Sequence, residues 1–345
     1  MFCFKTILFA ATAAITLFTT SAEAAQCETT LATAKSVAQR LQSHYFNPGN
    51  GQYTGGSLWT DANTLEDLHN LMLATGTDEF STVADTSFIG RAALNANTNW
   101  QSILAGSNDD AGWIALALWK IADYKGSRGL STTAYLNTAK KIYDIIAGQW
   151  DSTCGGGVWW STAHTYKNAV TNELFLLLSA SGFLRFGDQT YLANAQKVSS
   201  LYYKHVCYRI HYNCFRLGTG GVIASGLAAL AVATKDSSLL NQAEITLDAT
   251  IARITTNNIL RESCDDAASG GPVCNQDQQI FKGIWTKHLQ YYLDMANDPA
   301  RTARYSPFLG SQTSAVFHYG TNANNDIGSV CGLAAHIAAA KYGPC

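Results

Sequence analysis

The stretch Ser107-Asn108-Asp109-Asp110-Ala111-Gly112-Trp113 opens an apolar run that continues to Tyr124. The run has the length of a helix and is apolar on nearly every side, which predicts a helix buried inside the fold. Two neighbouring carboxylates therefore lie at the N-terminal end of a buried helix. Taken alone, an Asp-Asp dipeptide in that position favours a simple helix cap. Paired carboxylates can also divide acid and nucleophile roles, and the rest of the chain favours this second interpretation.

Helices of the same kind recur along the chain, each followed by a short turn and an amphipathic helix. In one amphipathic segment Leu136, Ala139 and Ile142 share a face, while Lys140 and Lys141 point away from it. The helix pair recurs about every 50 residues, a period typical of stacked supersecondary units. Buried helices are predicted over residues 64–75, 109–125, 167–185, 219–234, 277–296 and 326–341, and amphipathic helices over residues 28–45, 79–94, 132–148, 189–205, 237–254 and 299–317.

This alternation predicts an all-α fold, an (α/α)6 barrel of six inner and six outer helices, in one domain that spans residues 25–345. Loops from inner to outer helices are short, whereas loops from outer to inner helices are long and rich in Gly and Trp. All the long loops then lie at one end of the barrel, with the N-termini of the inner helices. A site is expected at this mouth. Polar clusters converge on it from residues 60–63, 108–110, 166–173, 218–221, 276–279 and 324–326.

The N-terminal residues 1–24 predict a secretory signal peptide. Lys5 supplies a positive charge, Ile7 to Phe18 form the apolar core, and Ala22-Glu23-Ala24 is a small-residue cleavage site. We expect a secreted monomer without a membrane anchor, because no apolar run is long enough to span a bilayer and the C-terminus has no hydrophobic tail. A net charge of -2 gives no reason to expect a nucleic-acid partner and suits a neutral polar ligand.

The cysteines predict four disulfides. Of the nine, Cys3 leaves with the signal peptide, and an even number remains in an exported chain. No Cys or His spacing matches a zinc site, so neither a metal nor another cofactor is expected. Cys207–Cys214 and Cys264–Cys274 are each predicted to close a loop at the mouth, and Cys27–Cys345 to close the ring of helices at the far end. Cys154–Cys331 follows by elimination.

Candidate substrate-binding residues lie in the polar clusters of the mouth and in the aromatic loops beside them. Trp and Tyr side chains offer an apolar face and a polar edge, a combination that suits sugars. For any one candidate a plainer alternative stands: an aromatic residue belongs to the core, an Asn or Glu near a helix start caps it, and a Lys faces water. The candidates are Asn63, Asn108, Trp113, Trp159, Trp160, Lys167, Asn168, Asn172, Glu173 and Lys282.

Several blocks of the chain resemble glycoside hydrolase family 76, in its secreted fungal version. They occur in the family order over essentially the whole mature chain. The blocks are Asn108-Asp109-Asp110-Ala111-Gly112-Trp113, Gly155-Gly156-Gly157-Val158-Trp159-Trp160, Tyr166-Lys167-Asn168-Ala169 and Gln279-Ile280-Phe281-Lys282-Gly283. The resemblance implies an (α/α)6 barrel and retaining endo-action on α-1,6-linked mannan. It also implies an Asp pair as catalyst, with Asp109 as the nucleophile and Asp110 as the general acid/base.

One block departs from the family. Fungal members usually show Tyr-Asn-Gln-Gly at the start of the fourth inner helix, where this chain has Leu217-Gly218-Thr219-Gly220-Gly221. Two alternatives to a hydrolase stay open, and the departing block motivates the second. The first is a transglycosylase, because relatives in fungal cell walls remodel mannan-bearing glycolipid anchors. The second is a glycan-binding secreted protein that keeps the fold without turnover.

Overall fold

The protein is described by a computed structural model that covers residues 26–201, 217–265, 273–319 and 330–345. These residues form α-helices joined by loops, with two short antiparallel hairpins that pair Phe46 with Tyr53 and Thr255 with Leu260. The helices are α1 Glu28–Tyr45, α2 Leu58–Thr75, α3 Val83–Thr86, α4 Phe88–Leu94, α5 Trp100–Leu104, α6 Asn108–Ser127, α7 Thr133–Ala147, α8 Ala169–Phe186, α9 Gln189–Leu201, α10 Leu217–Thr234, α11 Ser238–Arg253, α12 Gln278–Ala296, α13 Pro299–Tyr319 and α14 Val330–Tyr342. The strands are β1 Phe46–Asn47, β2 Gln52–Tyr53, β3 Thr255–Thr256 and β4 Ile259–Leu260.

Six of these helices close into an inner ring. Helix α2 packs on α6, α6 on α8, α8 on α10, α10 on α12, α12 on α14, and α14 returns to α2. Helices α1, α7, α9, α11 and α13 pack around the outside, against α14, α6, α8, α10 and α14 respectively. The closed ring confirms the predicted (α/α)6 barrel.

The two kinds of helix bury different amounts of surface, as their patterns predict. Inner helix α6 is buried along most of its length, including Trp119 and Tyr124. Outer helix α7 buries only one stripe, which includes Tyr135, Ile142 and Ile146. Full burial of a side chain the size of Ile142 contributes about 1.5–3 kcal/mol, so packing between the two layers of helices stabilises the fold.

Gly220 and Gly221, in the block that differs from the family pattern, allow close helix packing. A Cβ added at Gly221 would lie 3.0 Å from the backbone of Trp285 on α12, and one added at Gly220 would lie 2.7 Å from Thr250 Oγ1 on α11. Larger residues at these two positions would push α10 away from both neighbours. Helix packing therefore accounts for both glycines.

Two predicted helix boundaries are wrong. The predicted outer helix over residues 79–94 is broken at Ser87, whose extended backbone ends α3 and whose hydroxyl accepts the Gly90 N–H at 3.0 Å to cap α4. Inner helix α2 begins at Leu58 rather than at residue 64, because Thr60 Oγ1 accepts the Ser57 N–H at 2.7 Å in a capping box. Residues 60–63 are therefore buried helix rather than a mouth loop.

The disulfides test the predicted ring. Cys27–Cys345 and Cys264–Cys274 are formed, with Cα atoms 5.1 Å and 4.8 Å apart. The exposed Cys154 thiol is free, so the predicted Cys154–Cys331 bond is wrong. The reason is topological: Cys154 precedes α8 and Cys331 lies on α14, and these helices stand opposite each other in the ring.

Two further predictions lie outside the described residues, namely the signal peptide and the Cys207–Cys214 bond. Among the described helices, none combines the length and the apolar character that crossing a membrane requires.

Candidate active site

The carboxylate pair lies in the first turn of α6, at the mouth end of the barrel. Asp109 Oδ1 accepts the Ser107 hydroxyl at 2.7 Å and the Asp110 N–H at 3.1 Å. Asp109 Oδ2 accepts the indole N–H of Trp160 at 2.9 Å. These three hydrogen bonds hold the Asp109 carboxylate in one orientation.

Asp110 lies in a different environment although it is the next residue. Burial, and then the negative charge of Asp109, raise the pKa of Asp110 to about 6. The Ser107 hydroxyl opposes this shift, and the charge of Asp277 before α12 adds to it. A carboxyl group with such a pKa can hold a proton in mildly acidic solution and release it during a reaction. The pair thus combines one firmly oriented carboxylate with one carboxyl group whose pKa is raised.

The loop of residues 148–168, which we call the rim loop, connects α7 to α8 and reaches over the start of α6. The Asn108 N–H donates to Trp160 O at 2.9 Å, and Asn108 Nδ2 donates to Trp159 O at 2.8 Å. Backbone bridges join Ser107 to Ser161 and Trp150 to Val158. Asn108 therefore fastens the rim loop to the helix that carries the two aspartates.

Trp160 is the rim-loop side chain that faces outward beside Asp109. Its side chain is 42% exposed and meets the exposed ring of Tyr166 edge-on, with 6.3 Å between ring centroids. The two residues are also joined by a backbone hydrogen bond from Trp160 N to Tyr166 O, at 2.8 Å. An exposed indole next to a carboxylate offers a flat apolar face to the C–H groups of a sugar.

Trp159 and Lys167 instead belong to the internal framework of the rim loop. Asp151 accepts the Trp159 indole N–H at 2.8 Å and the Lys167 ammonium at 2.6 Å. The same ammonium lies 4.7 Å from the centroid of the Trp159 ring, which stacks on His164 at 5.1 Å. Lys167 and Trp159 hold the pKa of the Asp151 carboxyl well below its usual range. These four charged or aromatic side chains thus stabilise the loop from within.

The predicted polar residues at the start of α8 also hold the rim loop. Asn172 Oδ1 accepts the Val158 N–H at 2.7 Å, and its Nδ2 donates to Val158 O at 3.0 Å. A Cβ at Gly157 would lie 2.9 Å from Asn172 Oδ1, and its φ of +117° also requires glycine. Asn168 caps α8 by accepting the Thr171 N–H at 3.1 Å, as the plainer alternative predicts. Glu173, the next residue on α8, is buried at 4% exposure.

Three aromatic rings, one each from α2, α6 and α12, lie next to one another, and we call them the aromatic floor. The Trp59 centroid lies 6.2 Å from that of Trp113 and 6.4 Å from that of Phe281. Trp113 follows Asp109 by four residues on α6, so both point to the same side of the helix. Trp113 was predicted as a site residue. Phe281 was missed, because a Phe within a buried helix is indistinguishable in sequence from a core residue.

A buried ionic network lies deeper, between α2 and α12. The Lys287 ammonium reaches Asn63 Oδ1 at 2.6 Å, Glu66 at 2.7 Å and Asp67 at 3.3 Å. All four side chains are almost fully buried. The prediction that Asn63 lies in a mouth loop is therefore wrong, because its carbonyl oxygen accepts a hydrogen bond from a buried lysine. Burial raises the pKa of Asp67 to about 7.

Lys282, the last predicted candidate, is paired at the edge of the mouth. Its ammonium lies 2.8 Å from Asp265 Oδ2, inside the loop closed by Cys264–Cys274. Asp265 and these two cysteines are also the only grouping of potential metal ligands in the described part of the chain. Because the cysteines are bonded to each other and the carboxylate is bonded to Lys282, this grouping is not a metal centre.

An all-helical barrel that gathers two adjacent carboxylates and an exposed indole at one mouth has the architecture expected of a glycoside hydrolase. The family model described as glycosyl hydrolase family 76 matches residues 29–340. The match covers most of the chain, and the protein belongs to glycosyl hydrolase family 76.

Two relatives found by sequence are fungal. Mannan endo-1,6-alpha-mannosidase DCW1 of Eremothecium gossypii is 26% identical over 219 residues, which cover 56% of this chain and 48% of that protein. A Schizosaccharomyces pombe protein provisionally given the same enzyme name is 28% identical over 241 residues, which cover 61% of this chain and 52% of that protein. The matched part therefore spans about half the length of these two relatives.

Solved structures share the fold at low sequence identity. An inactive variant of the alpha-1,6-mannanase GH76A of Salegentibacter sp. HEL1_6, in complex with alpha-1,6-mannotriose, gives a TM-score of 0.73 at 15% identity, covering 90% of this chain and 99% of that one. Dfg5 from Chaetomium thermophilum, in complex with glucosamine, gives a TM-score of 0.74 at 17% identity, covering 93% and 91%. At these identities the likeness establishes the fold.

Proposed function

We propose that this protein is a secreted, retaining endo-glycoside hydrolase that cleaves α-1,6-mannosidic linkages in mannan. The observation that carries the proposal is the unequal environment of two adjacent carboxylates, Asp109 and Asp110, at the barrel mouth. The names of the fungal relatives and the mannotriose complex of the bacterial neighbour support the substrate class. Two disulfides support an oxidising compartment and hence export.

In the proposed mechanism Asp109 is the nucleophile. It attacks the anomeric carbon while Asp110 gives its proton to the leaving glycosidic oxygen, which produces a covalent glycosyl-enzyme. Asp110 then takes a proton from the water that hydrolyses this intermediate, so two inversions give net retention. The three hydrogen bonds on Asp109 support its role, because they orient the carboxylate that attacks. The raised pKa of Asp110 supports its role as the general acid/base.

Substrate contacts are assigned to aromatic side chains. Trp160 stands beside the nucleophile, and Trp113 belongs to the aromatic floor. We propose that these rings bind the apolar faces of mannose units. The other candidates act indirectly: Asn108, Trp159, Lys167, Asn168 and Asn172 hold the rim loop in the position that presents Trp160.

Digestion of unbranched α-1,6-mannan tests the proposal. Endo-action should give a ladder of oligosaccharides, and proton NMR should show the α-anomer of each new reducing end first. Initial formation of the β-anomer would exclude retention, and an intact polymer would exclude the hydrolase. Products longer than the substrate, formed with an added acceptor glycan, would instead identify a transglycosylase. Tight glycan binding without cleavage would identify a binding protein, although helix packing now accounts for Gly220 and Gly221.

A further inference from the structure

Tyr166 presents an aromatic ring to solvent near the end of the rim loop. Its side chain is 58% exposed, so most of the ring contributes nothing to the core. The ring contacts Trp160, which is itself 42% exposed and donates its indole N–H to Asp109 at 2.9 Å. Two neighbouring exposed rings thus border a carboxylate at the mouth. An apolar surface in that position indicates contact with a ligand.

The backbone around Tyr166 is fixed on both sides. Tyr166 O accepts the Trp160 N–H at 2.8 Å. The next residue, Lys167, donates to Asp151 Oδ1 at 2.6 Å, and the residue after it, Asn168, caps α8. The ring is therefore held in position before any ligand arrives. Binding to it does not carry the cost of ordering a loop.

The relative orientation of the two rings determines the shape that they offer. The planes of Trp160 and Tyr166 are inclined at 73°, with 6.3 Å between the ring centroids. Their faces therefore meet at a corner, which we call the aromatic corner, and do not form a flat platform. A ligand that follows both faces must consist of two units that lie in different planes.

A 1,6-linked sugar chain meets this requirement. The linkage passes through the exocyclic carbon, so it has an additional rotatable bond compared with a linkage between two ring carbons. Neighbouring sugar rings can therefore turn out of a common plane. Each mannose ring also carries C–H groups that pack against the face of an aromatic ring. Two successive units of an α-1,6-mannan can thus occupy the aromatic corner.

We propose that Tyr166 forms a binding subsite for the mannose unit next to the one that lies on Trp160. The proposal rests on the proposed function, which it extends from the carboxylate pair to the neighbouring unit of the chain. Tyr166 holds the substrate without taking part in the chemical step, because its contact with Asp109 runs through Trp160. Loss of the ring should therefore raise KM and leave kcat nearly unchanged.

The kinetics of Tyr166→Ala on unbranched α-1,6-mannan test this assignment. The variant should raise KM about tenfold, the effect of one lost aromatic contact, and change kcat by no more than about twofold. Tyr166→Phe keeps the ring and should restore the low KM. Tyr319→Ala is the matched control, because it removes a tyrosine that is 82% exposed on outer helix α13, and it should change neither parameter.

A purely supporting role for Tyr166 predicts a different result. If the ring only kept Trp160 in place, its removal would disturb the hydrogen bond from Trp160 to Asp109. Tyr166→Ala would then lower kcat, and this result would overturn the proposal. An unchanged KM would overturn it as well. Because the side chain is largely exposed, the Tm of Tyr166→Ala should match that of wild type, which separates a raised KM from misfolding.

A binding measurement separates this proposal from the proposed function. Calorimetric titration of an Asp110→Asn protein with α-1,6-mannotriose needs no turnover. Binding that weakens about tenfold on adding Tyr166→Ala supports the subsite, even if wild type leaves mannan intact and the proposed function fails. Equal affinities with and without Tyr166→Ala overturn the subsite, even if wild type hydrolyses mannan. Absence of binding to the Asp110→Asn protein overturns it too.

Discussion

Replacing Asp110 by Asn separates the two carboxylates by role. The amide keeps the shape of the side chain but neither gives nor takes a proton, and loss of a general acid/base lowers rates by about 10²–10⁴. We expect this loss on mannan. An aryl mannoside with an activated leaving group needs no protonation, so the variant should still form a glycosyl-enzyme on Asp109. Azide should then restore turnover and give a mannosyl azide of retained configuration, because it needs no general base.

The pH dependence gives this prediction a magnitude. With a pKa of about 6, Asp110 is protonated to only about a tenth at pH 7, so wild-type kcat/KM on mannan should fall about tenfold per unit above that pKa. The azide-rescued Asp110→Asn protein has lost the titrating group. Its rate on the activated substrate should therefore be level across the same range, as followed by release of the aryl group.

Asp109→Asn is the matched control. This variant keeps the acid/base but lacks the nucleophile, so azide should not rescue it and mass spectrometry should detect no glycosyl-enzyme. Rescue of Asp109→Asn instead of Asp110→Asn would show that the roles are exchanged. Two fully active variants, each destabilised by the 0.5–2 kcal/mol or so of a lost helix cap, would show that the pair only caps α6.

Three further predictions concern Trp160, Asp61 and the Cys264–Cys274 bond. Trp160→Phe removes the N–H group that donates to Asp109, so kcat/KM should fall about tenfold. Trp159→Phe removes an N–H group that donates within the rim loop, and it should lower kcat/KM far less. Equal losses of kcat/KM in the two variants would contradict the prediction. Burial raises the pKa of Asp61 from 3.8 to about 7, so the folded state prefers the protonated acid. The free energy of unfolding should therefore fall, by at most about 4 kcal/mol, as pH rises between these values. In denaturant titrations the free energy of unfolding of Asp61→Asn should depend less on pH than that of wild type, and parallel pH profiles would refute the assignment. Replacing both cysteines of Cys264–Cys274 by Ser should lower turnover more than Tm, because a short loop adds little chain entropy, and unchanged turnover would count against a role in shaping the site.

The barrel could be predicted because it depends on periodicity, which is local. Apolar residues around all of α6 and along one stripe of α7 assign one helix to each layer, and strict alternation of the layers gives the ring. The break at Ser87 could not be predicted this way. It requires Gly90 to pass so close to Ala84 that a Cβ would lie 1.8 Å from the Ala84 carbonyl oxygen, a contact that hydrophobic spacing does not report.

Contacts between residues that are far apart in the sequence are the second feature that could not be predicted. Lys287 and Glu66 are separated by 221 positions, and nothing near either residue in the sequence marks them as partners. The Cys154–Cys331 pairing failed for a related reason. Elimination treats every remaining cysteine as available, whereas the ring places α8 and α14 on opposite sides.

The polar candidates differ in role: some hold the loops and helix starts of the site in place, and others are available to contact the substrate. At the start of a buried helix, free backbone groups and the adjoining loop must be satisfied first, because an unpaired buried polar group costs about 1–3 kcal/mol. Asn108, Asn168 and Asn172 meet that demand, so sequence places them correctly at the mouth but cannot tell support from substrate contact. What this support presents is an indole beside the Asp109 carboxylate, with a second carboxyl group of raised pKa next to it. Such a surface binds sugar through the faces of aromatic rings, and its two carboxyl groups act on the glycosidic bond that is broken. Cleavage of a neutral polymer requires this arrangement.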